Sequence, residues 1–166
     1  MSGIRHVTQR VVVTVDPHVL YEALSDPRCI GRWSPECTGA RISGPRGTQV
    51  RVGTRFHAFD LRGRLRRRTE CRVVAAEPGR HFAYEVIRLG APVDRWGFRL
   101  EAVDGGTRLT RYWEDLRFAN RGRALRLAGR VIGDLSGRPL RNRQLMYETL
   151  RRMQTDPGLA ALRLAC

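Results

Sequence analysis

Two charged residues stand where side chains of their type are expensive, and they define the chemistry this chain can offer. Arg111 lies between Leu109 and Trp113 in an alternating run, so strand parity turns it to the same side as those two apolar residues. Asp60 follows Thr54, Phe56 and Ala58 at the same two-residue spacing. A buried guanidinium needs a carboxylate or a ligand oxygen, and a buried carboxylate needs a partner or a raised pKa. The two residues can therefore form an ion pair across an interior, or act as a base and an oxyanion stabiliser. The alternative is that each sits at a sheet rim and reaches water. Tyr84 and Tyr147 add hydroxyls able to donate to a carbonyl, although a buried tyrosine commonly finds some partner in any case. Asp115 falls nearer a strand end, where exposure is expected.

The elements that must position these groups are legible from turn residues and periodicity. Val7 to Val15 is rich in β-branched residues and ends at Asp16-Pro17, a helix cap followed by proline at the first helical position. Val19, Leu20, Ala23 and Leu24 recur at helical spacing. Asp26-Pro27 repeats the start signal for a second short helix, which Pro35 ends near Trp33. Glycine- and proline-bearing turns then separate six alternating runs, at about 38–43, 52–61, 64–76, 81–88, 93–103 and 107–116. With the first segment, this gives seven antiparallel strands. Parity places Phe82, Tyr84 and Val86 on one face, as it does Trp96, Phe98 and Leu100. It leaves Arg64, Arg66, Arg68 and Arg72 on the opposite, solvated face. Leu125, Ala128, Ile132 and Leu135, then Leu140, Gln144, Tyr147, Leu150 and Met153, predict helix toward the C-terminus, with Gly137 and Pro139 as an interruption.

A chain of 166 residues is expected to form one domain, residues 1–166, around a single core. No apolar run approaches the ~18 residues of a membrane span, and no signal peptide is visible, so the cytoplasm is the default compartment and stable membrane insertion is not expected. The formal net charge is +15, yet all 31 basic residues are arginine. Total replacement of lysine points to coding bias rather than to selection for phosphate contacts, so no nucleic-acid partner is expected. Arg123, Arg126 and Arg130 recur on one helix face and are read as solvated. Cys29, Cys37, Cys71 and Cys166 show no metal-ligand spacing with each other or with the four histidines, and free thiols are expected. There is no nucleophile elbow and no phosphate-binding glycine loop, so neither a cofactor nor a metal is called for.

The run Leu24-Ser25-Asp26-Pro27-Arg28-Cys29-Ile30-Gly31-Arg32-Trp33-Ser34-Pro35-Glu36 carries a resemblance. It continues in Val52-Gly53-Thr54-Arg55-Phe56, Cys71-Arg72-Val73-Val74, Glu77-Pro78-Gly79-Arg80, Trp96-Gly97-Phe98-Arg99-Leu100-Glu101 and Gly105-Gly106-Thr107-Arg108-Leu109-Thr110. Over roughly residues 7 to 155 the chain resembles the START-like helix-grip (SRPBCC) superfamily, in its polyketide cyclase/dehydrase and lipid-transfer branch. The resemblance implies an α+β fold: a curved seven-stranded antiparallel sheet around a long C-terminal helix, with two short helices between strands 1 and 2. It departs at Arg66-Arg67-Arg68, where relatives often have a tryptophan.

In that family the space between sheet and helix holds ligands, and a typical pocket measures roughly 300–1,000 Å³. The resemblance implies that Phe56, Phe82, Trp96, Phe98, Trp113 and Tyr147 supply aromatic surface, with Trp33 as a lid at the mouth. Those aromatics can equally fill the space solid. In a cyclase/dehydrase-like reading Arg111 stabilises oxyanions, Asp60 is the base, and Tyr84 or Tyr147 assists. The alternative is a non-catalytic carrier or sensor of a lipid or apolar metabolite. Both readings name a hydrophobic small molecule as the partner, and both leave open a monomer or a homodimer.

Overall fold

A computed structural model describes residues 5–45, 48–62, 64–117 and 138–159. Strand β1 (His6–Val13) leads into helix α1 (Pro17–Ser25), a 3-10 turn (Pro27–Cys29) and helix α2 (Ile30–Trp33). Six strands follow: β2 (Cys37–Ile42), β3 (Arg55–Arg62), β4 (Leu65–Glu77), β5 (His81–Arg88), β6 (Ala91–Val103) and β7 (Gly106–Asp115). The described part ends with helix α3 (Arg138–Thr155). The strands form one antiparallel sheet in the order β1-β7-β6-β5-β4-β3-β2, the expected α+β helix-grip arrangement. The helical pattern read over Leu125 to Leu135, the Arg123/Arg126/Arg130 face and the tail after Leu159 lie outside the described residues.

Helix α1 and the 3-10 turn that precedes α2 start as their sequences dictate. Asp16 Oδ1 accepts from the His18 and Val19 amides at 2.8 and 3.4 Å, and Asp26 Oδ1 accepts from the Arg28 amide at 2.9 Å. Each carboxylate thus satisfies amides that a helix N-terminus leaves free. Strand β3 begins at Arg55 rather than at Val52, because Gly53 (φ +90°) turns the chain and Thr54 bonds back to Arg51. Register shifts at Cys37/Gly39, Val73/Ala75 and Val86/Ile87 mark bulges, which bend and twist the strands that carry them.

The inner face of the sheet follows the predicted parity. Phe56, Val73, Phe82, Leu109 and Trp113 are fully buried, with Leu20 of α1 above them. Helix α3 packs across β1 and β7 and touches α2, so the two short helices and α3 together cover this face. On the opposite face Tyr112 lies over Gly97, where a Cβ would come within 2.4 Å of the tyrosine ring. Only glycine admits that ring, and Tyr112 OH is held 2.8 Å from His81 Nε2.

Candidate functional site

Arg111 is the centre of the inner face. Register pairs it with Phe98, while Trp113 pairs with Trp96, so guanidinium and rings share one side. The residue is 7% exposed, and its guanidinium carbon lies 5.1 Å from the Trp96 ring centre and 5.4 Å from that of Phe98. Its Nη1 is buried without a hydrogen-bond partner among the described residues. Burial lowers the pKa of this group, and the nearby Tyr84 and Cys37 only partly oppose that. Aromatic faces attract a cation, worth ~2 kcal/mol or more when desolvated, but they do not accept its N–H groups as an oxygen would.

Around Arg111 the structure leaves a small cavity lined by Leu24, Ile30, Trp33, Tyr84, Phe98 and Met153. Its volume is about 10 Å³, room for roughly one water molecule. Among the described residues, the cavity beside Arg111 is thus far smaller than the pocket of several hundred Å³ implied by the resemblance. Phe56, Phe82 and Trp113 belong to solid core packing rather than to the cavity lining, and Phe56 meets Tyr84 edge-on at 5.3 Å.

Asp60 does not meet Arg111. It accepts from Thr69 Oγ1 at 3.1 Å and stands opposite Cys37 and Arg67 in register. Burial raises its pKa and Glu36 adds to the rise, against the Thr69 hydrogen bond and the charges of Arg67 and Arg141. No hydrogen bond or ion pair joins Asp60 to Arg111 among the described residues, so the sequence-derived pair is not assembled. The Tyr84 hydroxyl is buried, which pushes its pKa far up and keeps it a proton-bearing donor facing Arg111. Tyr147 is 59% exposed and cannot line the cavity. Helix α3 presents Asn142, Met146, Thr149, Leu150 and Met153 inward, a phase that turns Leu140 and Tyr147 outward.

Sequence reasoning missed a buried polar group beside these residues. Asp94 is buried, accepts from Trp113 Nε1 at 3.1 Å and is ion-paired with Arg138 at the start of α3. Parity with Trp96 and Phe98 was the available signal. Asp115 pairs with Arg117 and is held below the usual carboxylate range despite burial. Arg88, half-buried near these groups, has its pKa lowered by burial and by Arg67, Arg138 and Arg117. Positive charge is thus in excess at this end of the inner face.

The Trp33-Ser34-Pro35-Glu36 run holds α3 near both of its ends, and Arg152 of α3 donates to the Ser34 carbonyl at 3.3 Å. The Trp33 indole donates to Asp156 Oδ2 at 2.9 Å, and Arg32 binds the same carboxylate through two nitrogens at 2.7 and 3.0 Å. Near the other end of α3, Arg141 is ion-paired with Glu36. Ser34 Oγ accepts from the Glu36 and Cys37 amides at 3.3 and 3.0 Å and sets the turn between these anchors. Trp33 is thus buried beside Arg111 and tied by its indole to Asp156, just past the end of α3.

The Arg32 hydrogen bonds, with smaller help from Trp33 and the Gly158 amide, lower the Asp156 pKa to about 2. A carboxylate depressed in the folded state contributes stability above its unfolded pKa of ~3.9 and loses it as pH falls toward the folded value. Between pH 4 and pH 2 the wild-type protein should lose stability that an Asp156→Asn variant lacks already at neutral pH. Melting curves across that window check this, and parallel pH dependence in the two proteins would refute it.

Cys37 and Cys71 are free, buried thiols, with Cys37 pushed up to about 11 by burial, whereas Cys29 is disulfide-bonded, contrary to the expectation of free thiols. Among the described residues no group of three or more His, Cys, Asp or Glu side chains could hold a metal ion. No helix among them is long and apolar enough to cross a membrane.

Residues 5–159 match the family model described as polyketide cyclase / dehydrase and lipid transport. The chain belongs to this family. Solved structures similar to this family member include the polyketide cyclase-like protein Cgl2372 from Corynebacterium glutamicum. It is 23% identical, with TM-score 0.60 over 90% of this chain and 89% of that one. Protein CV1439 from Chromobacterium violaceum is 17% identical, with TM-score 0.60 over 96% and 97% of the two chains. The Aha1 dimer from Colwellia psychrerythraea is 14% identical, with TM-score 0.62 over 97% and 100%. At these identities the likeness concerns the fold. No curated protein sequence matches this cyclase/lipid-transport family member.

Proposed function

We propose that the protein binds a hydrophobic small molecule bearing an oxygen function, with its apolar part between sheet and α3 and its oxygen on Arg111. The observation that carries this reading is the buried Arg111 Nη1 with no acceptor, beside the Trp96 and Phe98 rings. Leaving a buried cationic donor unsatisfied is costly, and a carboxylate, enolate or carbonyl oxygen would supply what the protein does not. Family membership supports an apolar ligand. Binding requires Trp33 and α3 to give way, since the closed cavity holds no more than a water.

Carriage or sensing fits the geometry better than cyclisation. Asp60 and Arg111, the base and oxyanion stabiliser of the cyclase reading, are not assembled as a pair. Tyr84 remains as a donor to the ligand oxygen. The whole chain acts as one such domain, as a monomer or as a homodimer.

Trp33, Trp96 and Trp113 report on ligand entry. Titration with flat aromatic carboxylates and with fatty acids should quench tryptophan fluorescence and raise the melting temperature. The matching methyl esters and hydrocarbons should bind at least ten-fold more weakly. A response that ignores the oxygen function would remove Arg111 from the reading, and no response to any of the compounds would sink it.

A further inference from the structure

We propose that the outer face of β2, β3 and β4 docks on an anionic phospholipid bilayer. This face does not depend on what fills the cavity. Alternation turns Phe56, Ala58 and Asp60 inward, which sets His57, Phe59 and Leu61 outward on β3. Register then places Arg41 beside His57, Arg68 beside Phe59 and Arg66 beside Leu61. Arg64 follows at the β3–β4 turn and is exposed. The two carboxylates of the neighbouring rows are already engaged, Glu70 by Arg55 at 3.0 Å and Glu85 by Arg72 and Arg95. Among the described residues, no carboxylate pairs with Arg41, Arg64, Arg66 or Arg68.

Four unneutralised arginines on one sheet surface call for an anionic partner, and two apolar side chains among them narrow its kind. Phe59 is 39% and Leu61 42% exposed, so part of each apolar residue meets solvent among the arginine rows. An open groove of about 420 Å³ runs between Arg41, His57, Phe59 and Arg68, with Arg68 Nη2 3.2 Å from His57 Nε2. Two guanidinium groups and an imidazole converging on one groove suit a phosphate headgroup. Phenylalanine and leucine beside them suit the boundary between headgroups and acyl chains. A single-stranded nucleic acid fits less well, since such sites stack successive bases on several aromatic rings and this face offers one. The same β3–β4 hairpin carries Asp60 and Arg67 on its inner side, so docking would bring that end of the concave face to the membrane.

Co-sedimentation with vesicles tests the proposal. Vesicles of equal parts phosphatidylglycerol and phosphatidylcholine should retain the protein at low salt, and phosphatidylcholine vesicles should not. Arg66→Gln with Arg68→Gln should weaken retention about 25-fold, at about five-fold per arginine. Phe59→Ser with Leu61→Ser should remove whatever retention survives high salt. All of these side chains are surface-exposed, and unchanged melting temperatures verify that each variant folds. Equal retention by both vesicle types, or wild-type retention by the arginine variant, would overturn the proposal. So would single-stranded RNA binding that exceeds vesicle binding and is lost on the same arginine substitutions, since that would assign the face to nucleic acid.

Discussion

Arg111→Met should make the ligand-free protein more stable, by roughly 1–3 kcal/mol, while abolishing preference for oxygen-bearing ligands. An arginine with a carboxylate partner would behave in the opposite way, because removing one member of a buried pair leaves a lone charge and costs ~3–5 kcal/mol. Here the guanidinium is buried among Trp96, Phe98 and Tyr84 with Nη1 unsatisfied, so the charge is already lone. Methionine keeps the apolar contacts and removes the desolvated cation. Arg111→Ala is a poorer probe, since the void it leaves opposes the gain. Denaturant unfolding at constant m-value reads the effect. A loss of 3 kcal/mol or more would mean that the side chain has a partner inside the protein. A gain in stability bought with lost recognition is the usual mark of a functional position.

Trp33→Ala should cost about 3–5 kcal/mol and open the interior to small apolar dyes. The indole is almost fully buried, lines the Arg111 cavity and donates to Asp156. Its loss removes a large packed surface and one hydrogen bond to Asp156, which Arg32 still holds. Trp33→Phe keeps most of the packing and loses the hydrogen bond, so a cost of about 1 kcal/mol is expected. Chemical denaturation and 8-anilinonaphthalene-1-sulfonate fluorescence together check the pair. An alanine variant as stable and dye-silent as wild type would show that the lid role is wrong.

Antiparallel neighbours and facing were legible because their causes are local, whereas the pairing of β1 with β7 joins distant segments and was not read from the residues. Turn residues mark each strand boundary, and alternation fixed the side taken by Phe82, Tyr84, Phe98 and Arg111. The start of β3 was misjudged by three residues, because Gly53 spends that stretch on a turn. The phase of α3 was misjudged because hydrophobicity was read as burial. Leu140 and Tyr147 are exposed, while Asn142 and Thr149 face inward. The contacts that tie α3 over the site join residues more than a hundred positions apart, as Trp33 to Asp156 and Glu36 to Arg141 do. Neither spacing nor composition encodes such a meeting. Asp94 was within reach of the parity argument, but its partners Trp113 and Arg138 could be named only from the fold.

The ties at the two ends of α3 also bear on how fast a ligand can enter. Arg141 and Asp156 are separated by about 22 Å along the helix at ~1.5 Å per residue. Fraying at either end alone leaves the other anchor closed over Trp33. If a ligand enters here, the ion pairs at both ends and the Arg152 bond to the Ser34 carbonyl would have to release together, which would make entry a concerted event. Association would be slow for every ligand whatever its final affinity, and dissociation would be slow for the same reason. A molecule admitted to this interior would be retained through many encounters with solvent, and the dwell time would be set by the clasp more than by the ligand.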